Sequence, residues 1–566
     1  MSRLPRNRML AVGVLFAMAA GVLAVRAVDL QIFRHPLLSD RAARQQMRTV
    51  ELPAHRGMIL DRRGQPLAIS TPVAAIWVNP KVVIGRDVSL APLARLLGMQ
   101  PAALAANLAA HADKSFMYVA RGLPPAIAGK ALALGLTGVH SKREYRRYYP
   151  AGQVAAQVVG FTNIDDRGQY GLELEYEGWL QGKAGAMRVV TSADGRPVED
   201  DEVIAQPHPG RDLVTSLDMR IQYLAYEALA EAVTKQGAVS GSIVVLDVKT
   251  GGVLAMVNQP SYNPNVRSDL QADLYRNRAV TDLFEPGSTF KPFIIAAALA
   301  SGNWHPQSTV ATGNGIWAVG GYTIHDDEPL GTITLTTLLE KSSNVGAAKV
   351  ALTLPSDYLY RILGGFGFGQ PVVSGFPGAT ASQLAYYGSW RPVEQAAISR
   401  GYGVSVTAFE LAQGYLAIAD GGVQRPATFI KQDKPTPGPR IIPAGIDAEL
   451  RAMLTTVVSD QGTGHRAQIP NYRVAGKTGT AHIYRDGSYS DDRYNSVFVG
   501  MAPAADPRLV VAVLVRGASH GHYFASQVSA PVFREVMEGA LRLLDIAPDA
   551  GTVLATAPAT ARGGPA

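Results

Sequence analysis

A chain of 566 residues that is 47% hydrophobic and 17% charged is globular protein, long enough for two or more domains. It has no cysteine, which excludes disulfides, thiolate catalysis and cysteine-ligated zinc. The formal charge of +7 is modest for this length, its arginines are scattered, and without a recognisable module this argues against nucleic acid as a partner.

The run Met9 to Val25 is apolar throughout and long enough to span a bilayer. Arg3, Arg6 and Arg8 precede it, so the positive-inside rule predicts a cytoplasmic tail over 1–8, a transmembrane helix over 9–25 and the rest of the chain outside. A cleaved signal peptide is the alternative, but its small-residue site, Ala17-Met18-Ala19, falls inside the apolar run instead of after it. Residues 26–48 read as a polar, partly helical connector. Arg56 to Ala68 then reads as two short strands joined by a turn at Arg63-Gly64-Gln65-Pro66. Leu90 to Leu134 is rich in Ala and Leu with mostly helical spacing. Residues 49–210 carry turns and charges but no catalytic cluster, and read as a non-catalytic α+β pedestal.

From Asp212 the pattern changes. Leu217 to Val233 has the periodicity of an amphipathic helix, and Ile243–Leu246 with Val253–Val257 reads as a hairpin turning at Lys249-Thr250-Gly251-Gly252. Asn495–Met501 and Leu509–Val515 read as strands, and Phe533–Leu544 as a closing helix. Strands at both ends of 211–545 with helices between predict an α+β domain, one antiparallel sheet packed by helices on its faces. Residues 546–566, rich in Ala, Gly, Pro and Thr, read as a disordered tail.

The chemistry concentrates around Glu285-Pro286-Gly287-Ser288-Thr289-Phe290-Lys291 and the apolar run behind it. Pro286-Gly287 predicts a turn that opens a helix, with Ser288 and Lys291 three residues apart on one face. A serine hydroxyl needs a base, and a lysine desolvated by apolar neighbours can become one. The plain alternative is a helix cap followed by a solvated lysine. Two further motifs follow in order: Ser342-Ser343-Asn344 between helical runs, and Lys477-Thr478-Gly479-Thr480 on a strand pattern. Decoys exist at Lys249-Thr250-Gly251, Ser261-Tyr262-Asn263 and Ser301-Gly302-Asn303. They read as a hairpin turn, a loop running into Pro264, and a helix end.

The ordered set S-x-x-K, S-x-N, K-T-G resembles the penicillin-binding proteins and serine β-lactamases. Arg56–Ala68, Arg147–Gly171, Ser261–Asn265 and Lys341–Gly346 resemble the class B penicillin-binding proteins. Ala75–Pro80, Tyr148-Tyr149-Pro150 and Ser529–Phe533 resemble their division-specific branch, the septal DD-transpeptidases. The resemblance covers roughly residues 5–545. It implies that Ser288 attacks the penultimate D-Ala carbonyl of a stem pentapeptide while Lys291 takes its proton. Ser342 would relay a proton to the leaving amine, and Asn344 would hold Lys291 and the substrate amide. Lys477 would sit near the substrate carboxylate, with Thr478, Gly479 and Thr480 lining the strand that binds it. The backbone N–H groups of Ser288 and Thr480 would form the oxyanion hole.

The same resemblance implies no metal or cofactor, inhibition by β-lactams, and an inner-membrane protein with its catalytic domain in the periplasm. Its implied partners are a SEDS-type glycan polymerase and other division proteins. An elongation-specific transpeptidase is the alternative within the family. A β-lactamase is disfavoured because no E-x-x-L-N follows Asn344, and a β-lactam sensor because the catalytic set is intact. His522-Tyr523-Phe524-Ala525-Ser526-Gln527 departs from the branch, which often carries a Gly pair there. His482 and His520 read as surface or packing residues, and Glu285 as a turn charge.

Overall fold

In the computed structural model, residues 6–33, 47–191, 197–266, 268, 271–371, 375–485, 488–519 and 523–550 are described. His520, His522, most of the predicted connector and residues 551–566 lie outside them. The chain divides into two compact units. One comprises residues 1–56, 70–146 and 181–210, and the other 57–69, 147–180 and 211–566. The contacts draw a boundary between Gly210 and Arg211, but 57–69 and 147–180 cluster with the C-terminal unit and not with the rest of 49–210.

The first unit begins with the helix Arg6–Val28, which a π-helical turn, Asp29–Phe33, continues. Met9–Phe33 has a mean hydropathy of 2.2 and is long enough to cross a membrane. Beyond it, strand Met47–Leu52 pairs with Gly185–Thr191, and that strand pairs with Pro197–Ala205, all antiparallel. Residues 74–78 of the strand Pro66–Val78 pair with Met117–Leu123. Three short helices, Ala91–Leu96, Pro101–Ala110 and Pro125–Ala133, pack Leu93, Leu104 and Ala131 against Ile76 and Val78. The stretch 90–134 is thus mostly helical, as its spacing predicts, with the strand Met117–Leu123 between the second and third helices. Met117-Tyr118-Val119 takes an extended form because its aromatic and β-branched residues fit a pleated surface beside a paired neighbour.

In the second unit the predicted turn of 56–68 stands between strand Ile59–Leu60 and the first residues of Pro66–Val78. The Asp61 carboxylate accepts the N–H groups of Arg63 and Gln65 at 2.8 Å each, which satisfies the turn's free donors. Residues 147–180 are tied to this unit by polar contacts. The Asn265 side chain accepts from Tyr149 N and donates to Tyr149 O, while within the segment Arg147 and Glu173, both fully buried, pair at 2.6 Å. Ser261 Oγ donates to Gln153 O at 2.8 Å, so the Ser261-Tyr262-Asn263 decoy serves packing.

The central sheet holds β1 (Ser240–Asp247), β2 (Val253–Gln259), β3 (Ala475–Arg485), β4 (Ser488–Ala502) and β5 (Leu509–Ala518). Their spatial order is β2-β1-β5-β4-β3, with every neighbouring pair antiparallel. The unit's helices include α1 (Met219–Lys235), α2 (Lys291–Ala300), α3 (Leu335–Lys341), α4 (Asn344–Leu352), α5 (Ala408–Ala419), α6 (Ala444–Thr456) and α7 (Ser529–Leu543). Successive side chains of a strand face opposite ways. Ile243 and Val245 accordingly pack with Leu229 of α1 and Phe533 of α7, while Val244 and Leu246 pack with Phe409 of α5 and Ile295 of α2. Helices on both faces explain why β1 and β5 are nearly continuous apolar runs.

The tail starts later than expected. Ile546 O accepts Tyr472 OH at 2.6 Å, Asp549 accepts Arg473 N at 2.7 Å, and Ala550 N donates to Asn471 O at 3.1 Å. These bonds order 546–550 despite their composition.

Candidate active site

Ser288 lies on a 3-10 turn, Gly287–Phe290, that runs directly into α2. In a 3-10 turn residues i and i+3 are eclipsed, so Ser288 and Lys291 are aligned more closely than an α-helix would align them. Pro292 sits in the first turn of α2, where its missing N–H costs nothing. The turn is held from several sides. Thr289 Oγ1 donates to Pro286 O at 2.7 Å, Tyr415 OH from α5 donates to Thr289 O at 2.8 Å, and Gly287 N donates to Gly401 O at 3.2 Å. Behind it Phe290 and Phe293 each pack against Phe368 at a steep angle, with ring centres 4.8 Å apart. The Ser288 hydroxyl makes no hydrogen bond among the described residues and opens into a cleft of about 980 Å³.

Lys291 and Lys477 are both fully buried. Lys291 Nζ donates to Asn344 Oδ1 at 2.9 Å and to Ser342 O, and it stands 3.2 Å from Ser342 Oγ. The same Ser342 hydroxyl accepts from Lys477 Nζ at 3.0 Å. Ser342 therefore bridges two amines that come from a helix and a strand far apart in sequence. Burial pushes the Lys291 amine well below its usual range, and the Lys477 charge pushes it further. Asp326 and Asp327 oppose that fall. Burial lowers Lys477 to about 7, with Asp327 acting the other way.

The α3–α4 corner is under strain at one residue. Ser342 has φ of 63°, the left-handed region that a non-glycine residue occupies at a cost of roughly 1–3 kcal/mol. A carboxylate clamp holds it there. Asp326 accepts Val345 N at 2.9 Å, Asn344 N, and the Ser343 hydroxyl at 2.7 Å. Ser343 Oγ in turn caps α4 by accepting Gly346 N at 2.9 Å. Asn344 Nδ2 donates to His325 O at 2.9 Å, which turns the amide so that its oxygen faces Lys291. Asp326 carries no local motif around it, so only the tertiary structure discloses its part.

β3 is one of the two edge strands of the sheet. Thr478 and Thr480 line the cleft, and the Thr478 hydroxyl lies 2.8 Å from that of Thr463, a neighbour that spacing could not reveal. A Cβ on Gly479 would stand 2.8 Å from Pro286 O, so this position is glycine because strand and nucleophile turn touch. Thr480 Oγ1 accepts Ala525 N at 3.1 Å. In the segment that departs from the branch pattern, Tyr523 stacks on Tyr494 at 4.2 Å, and both line the cleft. His482 packs against Tyr494 at 4.6 Å and also lines the cleft, while the Glu285 side chain accepts Gly403 N at 2.9 Å. The structure thus brings Ser288, Lys291, Ser342, Asn344, Lys477, Thr478, Gly479 and Thr480 into one neighbourhood and leaves the three decoys outside it.

An open serine beside a buried lysine, a bridging hydroxyl and a second buried lysine on an edge strand define a serine acyl transferase of the penicillin-binding fold. The penicillin-binding protein transpeptidase domain matches residues 241–538, and the penicillin-binding protein dimerisation domain matches 51–215. The chain is 42% identical over 550 residues to the probable peptidoglycan D,D-transpeptidase PbpC of Pseudomonas aeruginosa, covering 97% of each chain. It is 38% identical to the peptidoglycan D,D-transpeptidase FtsI of Escherichia coli, covering 94% of this chain and 91% of that one. Among solved structures, penicillin-binding protein 3 from Mycobacterium tuberculosis in complex with aztreonam has a TM-score of 0.69 at 27% identity, over 88% of this chain and 98% of that one. The chain belongs to the class B penicillin-binding proteins, the peptidoglycan D,D-transpeptidases.

Proposed function

We propose that this protein cross-links peptidoglycan stem peptides at the division septum, anchored in the inner membrane with its catalytic unit in the periplasm. The observation that carries the chemistry is the bridge Lys291–Ser342–Lys477 beside an open Ser288 hydroxyl. Neutral Lys291 takes the Ser288 proton as Oγ attacks the penultimate D-Ala carbonyl. The developing oxyanion rests on the N–H groups of Ser288 and Thr480, and Lys477 with Thr478 holds the terminal carboxylate. The C–N bond breaks, the proton returns through Ser342 to the leaving D-Ala amine, and an acyl-enzyme remains. An amine of a neighbouring stem peptide then attacks the ester and restores Ser288.

A fluorescent penicillin on the wild-type chain is expected to form one adduct that maps to Ser288 and persists for many minutes, since no residue of the proposed cycle activates water. Lys291→Ala, with its melting temperature retained, is expected to lose labelling. Rapid turnover of the drug would replace this reading with a hydrolase. The septal assignment rests on the FtsI relative and on the division-branch segments Ala75–Pro80, Tyr148–Pro150 and Ser529–Phe533. A SEDS-type glycan polymerase and other division proteins are the partners that fit this role. Depletion in cells decides between septal and elongation roles: filaments without septa support the first, rounded cells the second.

A further inference from the structure

Arg400 is only 8% exposed, yet it lines the cleft that holds Ser288. Its guanidinium carbon lies 5.6 Å from the centre of the Tyr322 ring and 5.5 Å from that of Tyr402, within cation–π reach of both. Nε donates to Ala396 O at 3.2 Å, which fixes the plane of the fork. Among the described residues no carboxylate pairs with it, and its two terminal nitrogens donate to no acceptor. Asp327 lines the same cleft and makes no ion pair with it. A charge this buried is ordinarily paired, because desolvation is otherwise uncompensated. Here the fork is held rigid from behind while its donors are left open toward the cleft.

Its place in the chain ties it to the acyl donor. The next residue, Gly401, packs so closely on the nucleophile turn that a Cβ there would stand 2.1 Å from Gly287 O. Lys477 is a separate cation of the same neighbourhood, on β3. Two cations from different elements can read two anionic groups on one ligand. A planar guanidinium with two free nitrogens matches a carboxylate bidentately, and its rigid setting reduces the ordering cost of that contact.

Resting on the transpeptidase reading above, we propose that Arg400, held between Tyr322 and Tyr402, is a specificity residue that binds a second carboxylate on the acyl-donor peptide, on a residue preceding the scissile D-Ala–D-Ala bond. The terminal carboxylate goes to Lys477 and this upstream one to Arg400, so donors whose upstream carboxylate is free acylate faster than amidated ones.

The test compares second-order acylation of the full chain by benzylpenicillin and by its side-chain α-carboxy derivative, which differ by one carboxylate on the acyl side. The readout is the ratio of the two rates. In Arg400→Met the ratio of carboxylated to uncharged drug is expected to fall about tenfold, the worth of a lost charged hydrogen bond. In Arg400→Lys a smaller fall is expected, since the ammonium keeps the charge and loses the fork. If Arg400 only stiffens the wall, both drugs slow alike and the ratio holds. A change below about threefold in both variants overturns the proposal, whatever the absolute rates. Failure of benzylpenicillin to acylate the wild-type chain overturns the transpeptidase reading itself, so the two failures are distinct.

Discussion

Gly479→Ala separates contact from conformation at the heart of the site. Gly479 does not have a positive φ, so its backbone alone does not call for glycine. The added methyl would lie 2.8 Å from Pro286 O, 2.8 Å from Thr289 Cγ2 and 3.2 Å from Thr289 N. Ordinary contact begins near 3.4 Å, so about 0.6 Å must be found. The neighbours cannot supply it locally. Thr289 is pinned through Oγ1 to Pro286 O and through its carbonyl to Tyr415. β3 must therefore move off the nucleophile turn and carry Lys477 and Thr480 with it. Overpacking of this kind costs about 1–3 kcal/mol, reduced by the backbone entropy that alanine saves. A misplacement approaching 1 Å in a catalytic constellation costs on the order of 10²-fold. Penicillin acylation is expected to slow about 10- to 100-fold while the melting temperature falls by a few degrees. Gly445→Ala is the control, because its Cβ meets open space within α6, and it is expected to leave acylation unchanged. Wild-type acylation by Gly479→Ala would falsify the argument that strand and turn are in contact at this position.

The pH profile of acylation follows from the two buried amines. Lys291 is depressed well below its usual 10.5, so its neutral form reaches to lower pH than that of a free lysine and is lost as pH falls through its folded value. Lys477 titrates near 7 and loses its charge above that, so the bell is expected to have an alkaline limb near pH 7, which Lys477→Arg moves to much higher pH; an unmoved limb would show that another group sets it. Stability carries the matching sign. Between about 7 and 10.5 the unfolded chain binds more protons at Lys477 than the folded one, so its burden is full below 7 and lifts as pH rises. A fall from 10.5 to about 7 corresponds to about 5 kcal/mol, so Lys477→Met is expected to melt higher than wild type at pH 6 while acylating poorly, and a lower melting temperature would show that its hydrogen bonds outweigh desolvation. For topology, a reporter active only in the cytoplasm, fused after Ala566, is expected to stay silent; activity would reverse the orientation drawn from Arg3, Arg6 and Arg8.

The parts of the site that were legible in the sequence are those whose chemistry is local. Ser288 and Lys291 share one turn, and Lys477 to Thr480 share one strand, so type and spacing carry the information. Order along the chain removed the decoys, and their surroundings explain why: Ser301 Oγ, for instance, bonds back to Ala298 O at 2.6 Å to close α2. Asp326, Thr463 and Arg400 were not legible, because each acts on residues brought near only by the fold. The strand Met117–Leu123 hid among Ala- and Leu-rich helices because pairing with residues 74–78, not composition, holds it extended. Likewise Asn265 binds 147–180 to the catalytic unit by accepting Tyr149 N and donating to Tyr149 O, across 116 residues that no spacing rule connects.

Two amines around one hydroxyl cannot both be charged cheaply, and the asymmetry between them assigns their roles. The charge on Lys477 is among the causes that lower Lys291, whereas Lys477 is lowered by burial alone and is raised by Asp327. Lys291 alone has a second cation holding it down, which suits it to the role of base. Groups whose environments push their titrations apart mark acid and base in a site. Lys291, with Ser342 O and Asn344 Oδ1 taking its protons, keeps a lone pair for a hydroxyl. Lys477, near its midpoint when the cleft is empty, becomes fully charged when an anion arrives, because an opposite charge favours the protonated form. The amine on β3 and the base on α2 are thus linked through one hydroxyl, Ser342 Oγ, which stands 3.0 Å from Lys477 and 3.2 Å from Lys291.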